Sequence, residues 1–487
     1  MAHVEIVDQT IRDGPQSLWG MRIRGGMVTE VAPQMRAAGF HTMDAPSGSF
    51  FTVLQRYLRE DPIASFTHIR KLLKGQTLRC GTRPSSTGRF GIASYASMDF
   101  YTDYMIQRLG MNAMWIYDCL YDMKEMEHRA RSVHDAGGEV VPAIMYGISP
   151  VHTDEWFADR VREMVGWGIT SAIYVEDAPG ILTPERTRTL VPALVEAAGD
   201  VPVELHCHNT TGLAPLNYLI GIEHGIQRIH TCSAPLANGP SLPSTEMMLI
   251  NLESAGHTHS IDTSTLPPVA KHFERVARQE GHPIDDVPEY DRRVYDHQLP
   301  GGMTGTFKAQ LKTFNMEDRF DAVLEEIPRV RHDLGYPVSA TPFSQLLGTQ
   351  ALLNVVSGDR YSLTTDEVVL YAMHAYGEPP VPIDPDVRDR LLASSSGKRL
   401  EGFKRPEITL EELRAEQGGA HLSDDDLFRL IFVPQEDVDL TKAAGPFKAD
   451  YHFDQGPEAL IRCALDTKRA RSIRLRSGDV SVQISRG

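Results

Sequence analysis

No run in this 487-residue sequence approaches the ~20 consecutive apolar residues that a membrane-spanning helix requires. The N-terminus also lacks the charged, apolar and small-residue regions of a secretory signal. Cysteine is scarce. Cys80, Cys119, Cys207, Cys232 and Cys463 are widely separated, and no two have the spacing of a zinc knuckle or a CxxC redox motif. Reduced, mostly buried thiols are expected, and with them a cytoplasmic location. Positive charge is in deficit, with 49 Lys and Arg against 65 Asp and Glu and a formal net charge of −16. Phosphate binding needs a basic face, so nucleic acid is excluded as the main partner. Repeats and low-complexity tracts are missing too.

What is present is an ordinary globular composition, 41% hydrophobic and 23% charged, at a length that suggests two or three domains. Eight short apolar runs recur in the first half: Val4–Asp8, Phe40–Asp44, Thr77–Gly81, Ala113–Asp118, Val140–Tyr146, Ala172–Glu176, Val201–His206 and Gln227–Thr231. Amphipathic stretches such as Glu155–Gly166 and Pro184–Ala198 separate them. Continuous apolarity fits parallel strands buried on both faces. Eight βα units in roughly 250 residues predict a TIM (β/α)8 barrel.

After about residue 265 the rhythm stops. A turn-rich Tyr295–Gly302 leads into helical patterns at Phe307–Phe314, Arg319–Leu334, Pro342–Ser357 and Thr365–Tyr376. The Pro-rich Gly377–Pro385 and the Ser394–Lys398 patch bound a more polar region, and Ser472–Ser485 alternates like one or two strands. The expected domains are 1–285 (barrel), 286–465 (helical) and 466–487 (strand tail).

Chemistry in such barrels sits at the C-terminal strand ends. Those ends carry Asp8 to Asp13, Asp44, Asp118, Glu176-Asp177 and His206-Cys-His208, so several carboxylates and two histidines are expected at one mouth. Strand residues two apart share a face, which makes His206 and His208 half of a metal site. Asp13 follows the first strand, which barrel closure brings round toward the seventh. Mixed N/O ligands suit Zn, Mn, Co or Mg. Such an ion would polarise a substrate carbonyl or enolate oxygen at an open position. Met43, Met114 and Met145 read as core filler, and His152, His257 and His259 as surface or loop histidines.

Several segments carry a family resemblance: Ile11–Trp19, Ser49–Pro62, Ile116–Asp118, His206–Gly212, Leu299–Gly302, Arg319–Gly335 and Thr341–Gly358. Over roughly residues 1–440 the chain resembles the biotin-dependent carboxyltransferases of 2-oxo acids. These are the carboxyltransferase subunit of oxaloacetate decarboxylase, its transcarboxylase counterpart and the corresponding domain of pyruvate carboxylase. The resemblance implies a barrel capped by a helical funnel, a dimer or larger assembly, and carboxybiotin arriving on a carrier. It implies Asp13, His206 and His208 as metal ligands, with Arg12 and Gln16 lining the pocket.

Three departures stand out. The family's fourth ligand is a carbamylated lysine, and here Glu176 takes its place. It ends in a similar carboxylate but reaches roughly 3 to 4 Å less far. The ion is therefore expected to be kept, with Glu176 bound to it directly or through water. The family's proton-shuttling threonine is replaced by Pro240, which has no hydroxyl, while Ser241 beside it is expected to face elsewhere. The family's substrate-binding arginine aligns with Arg83 in preference to Arg79, which reads as a rim arginine. Arg83 would grip a carboxylate through a bidentate pair.

The sequence has no Met-Lys-Met biotin attachment motif, Asp122–Met126 being the closest text. Biotin is expected on a separate carrier protein, with a biotin carboxylase subunit as further partner. The tail reads either as a docking strand pair or as an edge hairpin. Two functions compete: carboxyl transfer from carrier-borne biotin to an enolisable acid, and a biotin-independent metal decarboxylase or C–C lyase. The Arg12-Asp13-Gly and Asn209 features suit either, and a catalytically silent subunit is disfavoured by survival of the three ligands.

Overall fold

A computed structural model describes residues 1–88, 91–284, 290–301, 303, 311–312, 316–453, 472–477 and 480–485. Eight parallel strands close into a barrel in sequence order. They are β1 (Glu5–Asp8), β2 (Thr42–Asp44), β3 (Leu78–Thr82), β4 (Ala113–Ile116), β5 (Glu139–Met145), β6 (Ile173–Asp177), β7 (Val203–Cys207) and β8 (Arg228–Thr231). Closure comes from β1 on β8, in the register Glu5↔Arg228 through Asp8↔Thr231. The eight-strand TIM barrel expected from the sequence is therefore the fold.

Local chemistry sets the helices between strands. Asp61, Thr153, Thr183 and Ser244 each accept a backbone N–H in the first turn of the helix that follows. Such caps satisfy donors that the helix itself cannot. Proline in the first turn of Pro62–Leu72 and Pro184–Ala198 gives up an N–H that would be orphaned anyway.

Parity along the strands divides two environments. Val203, Leu205 and Cys207 on β7 face the helices, while Glu204 and His206 face the barrel axis beside Tyr174, Arg79 and His230. Gly81 on β3 shows why one inward position has no side chain. A Cβ there would lie 2.4 Å from the Trp115 ring of β4. The methionines Met43, Met114 and Met145 are buried core residues. Cys80, Cys119, Cys207 and Cys232 are buried and unpaired, and Cys463 lies outside the described residues.

Beyond the barrel the chain is helical: Phe320–Asp333, Phe343–Ser357, Asp366–Ala372, Pro385–Ala393, Leu410–Gln417, Asp424–Leu430 and Gln435–Ala443. The helix expected at Phe307–Phe314 falls almost wholly outside the described residues. This region is tied back to the barrel. Val338 N–H donates to the Cys119 carbonyl (3.1 Å), and Gln298 both donates to and accepts from the Ile148 backbone (2.9 and 3.0 Å). The tail strands β9 (Ser472–Ser477) and β10 (Val480–Ser485) form an antiparallel hairpin. No helix among the described residues is long and apolar enough to cross a membrane.

Candidate metal centre and acceptor cavity

At the C-terminal end of the barrel, ligand atoms of Asp13, His206 and His208 lie within 4.8 Å of one another. His208 Nε2 is 3.2 Å and His206 Nε2 4.0 Å from Asp13 Oδ2. Neither Nε2 has a hydrogen-bond partner, although both residues are buried. Buried polar atoms are normally satisfied, so two such nitrogens facing one carboxylate mark a place for something that accepts lone pairs. The far side of each ring is occupied. His208 Nδ1 donates to the Pro240 carbonyl (2.6 Å), which leaves the lone pair on Nε2. Proline at 240 therefore still orients a ligand through its backbone.

Asp13 opens the short helix Asp13–Leu18, and its Oδ1 accepts from Arg12 at 2.7 Å. Arg12 lies over the Trp115 ring, 4.7 Å from its centroid, and Trp115 stacks in turn on Tyr174. The void at Gly81 thus lets Trp115 support the arginine that holds Asp13.

Above the cluster is a cavity of about 530 Å³. Arg12, Gln16, Arg83, Glu176, His208 and Pro240 all line it, and Pro300, Met303, Ala340–Pro342 and Gln345 from beyond the barrel complete its wall. Arg83 is buried just past β3, and its Nε and Nη2 donate to Ser86 Oγ at 3.2 and 2.8 Å. Thr52 and Thr82 also line the cavity, each with a hydroxyl lacking a partner.

Glu176 pairs in register with His206 on the adjacent strand, yet it stands outside the three-residue ligand group. Its Oε2 has no partner, and burial raises its carboxyl to about 8, against the opposing pull of Arg12. Burial likewise keeps His206 neutral by lowering its pKa well below the ordinary imidazole range.

Other expectations change. Arg79 is no rim residue: it lies inside the barrel, donating to Asp44 and Glu204 at 2.7 Å each. Carboxylates expected at the mouth are used elsewhere. Asp44 holds Arg79, Asp177 accepts the backbone N–H groups of Ile181 and Leu182, and Asp118 accepts that of Asp122. His152 is in a loop but buried, between Ser149 and the rings of Trp156 and Phe157. Ser241 does face away, donating to the Leu236 carbonyl. Sequence reasoning missed Tyr174, Glu204 and His230. The usable signal was parity, since Tyr174 and Glu204 sit two residues before Glu176 and His206.

The family described as HMGL-like matches residues 3–272, and the one described as a conserved carboxylase domain matches 294–458. A pyruvate carboxylase subunit of Methanocaldococcus jannaschii is 34% identical over 453 residues, covering 92% of this chain and 79% of the relative. The methylmalonyl-CoA carboxyltransferase 5S subunit of Propionibacterium freudenreichii is 30% identical, covering 81% and 78%. The carboxyl transferase domain of Rhizobium etli pyruvate carboxylase with 3-bromopyruvate superposes with a TM-score of 0.83 at 22% identity, covering 91% of this chain and 78% of that one. This last likeness shows the fold alone. With the sequence relatives and both halves matched, the chain belongs to the biotin-dependent carboxyltransferase family.

Proposed function

We propose that this chain transfers a carboxyl group between biotin on a separate carrier protein and an enolisable acid, a 2-oxo acid or a close relative. The observation that carries the reading is the pair of unpartnered Nε2 atoms facing Asp13 at the foot of a cavity walled by Arg12, Gln16 and Arg83. This donor set fits a divalent ion, Zn, Mn or Co, held by Asp13, His206 and His208. When bound, the ion would supply Lewis-acid polarisation of an oxygen on the acceptor.

The protein's own groups do the rest. Arg83 holds the acceptor carboxylate, with Ser86 fixing its fork. Arg12 and Gln16 bound the reacting end, and the segment Ala340–Pro342 closes the wall against water. Glu176 is assigned to the ion's surroundings and to proton transfer at Oε2, the duty for which Pro240 has no hydroxyl. Residues 1–285 would form the metal-binding barrel, 286–465 the funnel that admits the carrier, and 466–487 the tail. A biotin carboxylase subunit, assembly as a dimer or larger and a cytoplasmic location complete the reading.

Metal analysis of the purified protein, capture of a biotinylated partner and carrier-dependent carboxyl exchange onto 2-oxo acids test it together. Exchange that requires both metal and the biotinylated carrier is expected. Pro240 favours one competing reading, a biotin-independent metal lyase. A protein that binds no carrier yet splits a 2-oxo acid would establish that reading instead.

A further inference from the structure

The inside of the barrel below the metal centre is polar, and its hydrogen bonds have a direction that can be worked out. Glu204 on β7 accepts from Arg79 Nη1 at 2.7 Å and from Arg228 Nη1 at 2.9 Å. With two guanidinium groups on it, this carboxylate only accepts. His230 Nε2, 3.1 Å from Glu204 Oε2, must therefore carry a proton and donate it. The other nitrogen of His230 meets Gln9 Nε2 at 3.0 Å. That Gln9 atom is the amide nitrogen, because it also donates to Asp44 Oδ2 at 2.7 Å. His230 Nδ1 thus presents a lone pair.

The same lone pair, shared with the Gln9 donor, faces His206 Nδ1 at 3.1 Å. A nitrogen facing an acceptor at that distance carries the hydrogen, which leaves the His206 lone pair on Nε2, the atom turned toward Asp13. The Tyr174 hydroxyl, 2.7 Å from the same Nδ1, could by itself either accept or donate. Among the described residues, His230 breaks that tie. Were the hydroxyl to donate, His206 would carry its hydrogen on Nε2 and point it at the ion's place.

We propose that His230, set by Glu204 and Gln9, is a positioning residue that locks His206 in the tautomer able to bind the metal. The inference rests on the metal reading given above. Partners of this kind behind a ligating histidine are typically worth ~10- to 100-fold in metal affinity.

The test combines two measurements. Co(II) binding is measured by competition with a chelator, together with the Co(II) absorption spectrum, for the wild type, His230→Leu and His230→Asn. The His206 tautomer is read from ¹⁵N shifts of metal-free, histidine-labelled protein and assigned by loss of its signals in His206→Gln. The wild type should show hydrogen on Nδ1. His230→Leu should bind Co(II) ~10- to 100-fold more weakly with an altered spectrum. His230→Asn, whose amide oxygen replaces the lone pair, should recover most of the affinity.

Hydrogen on Nε2 in the wild type, or equal Co(II) affinity in wild type and His230→Leu, would overturn the inference alone. Failure of the wild type to bind Co(II) would overturn the metal reading and this inference with it. If His230→Leu does not fold, the wild-type tautomer and the His230→Asn affinity decide.

Discussion

Replacing Arg79 by methionine should destabilise this protein far more than removing a surface arginine would. Arg79 donates to Asp44 and Glu204 at 2.7 Å each, and the three side chains are 2%, 0% and 2% exposed. The two acids differ in what they would retain. Glu204 keeps Arg228 at 2.9 Å and His230 at 3.1 Å. Among the described residues, the Asp44 carboxylate keeps a hydrogen bond from the neutral Gln9 amide, at 2.7 Å, and no other ion pair. Methionine replaces most of the arginine stem, so the cost is chiefly one uncompensated buried carboxylate, about 3–5 kcal/mol. An exposed rim pair would be worth ~1 kcal/mol or less.

Urea unfolding of metal-free wild type and Arg79→Met at pH 7 reads the difference. The double variant Arg79→Met/Asp44→Asn should be more stable than Arg79→Met at pH 7, because it removes the stranded charge. A deficit below about 1 kcal/mol, or a double variant no more stable than Arg79→Met, would refute the buried-network account.

Burial raises Asp118 from 3.8 to about 6, so its contribution is present below about pH 4 and lost as pH climbs to 6. Relative to Asp118→Asn, the wild type should lose about 2 kcal/mol between pH 4 and 8, and parallel stability curves would contradict this. Arg83→Lys should raise the KM for the acid acceptor roughly 10- to 100-fold with a smaller change in kcat, since lysine keeps the charge but not the fork. An unchanged KM would remove Arg83 from the acceptor site. Gly81→Ala would drive a methyl into the Trp115 ring, 2.4 Å from the ideal Cβ position, and should cost about 1–3 kcal/mol in a thermal or urea melt.

Much of the architecture was legible because it follows from local rules. Period-two alternation puts His206 and His208 on one face, and eight apolar runs at βα spacing predict the barrel that the strand order confirms. The carboxylates were less legible. Asp44, Asp118 and Asp177 also stand at strand ends, yet one meets a barrel arginine and two hold loop backbone. Strand-end position names candidates but not their partners.

Arg79 and Arg83 show the same division. Four residues apart, they share parity with each other, and the expected strand Thr77–Gly81 contains only the first. Asp44 and Glu204, separated from Arg79 by 35 and 125 positions, draw it into the barrel, while Arg83 lies beyond the strand end and reaches the cavity. By itself the sequence determined the barrel, the same-face histidine pair and the missing hydroxyl at Pro240, because strand period and side-chain chemistry are local properties. Only the tertiary structure decided which acids face the cavity, which arginine lines it and how Glu204 and His230 reach His206. Those depend on closure of the barrel, which brings residues distant along the chain within hydrogen-bond reach.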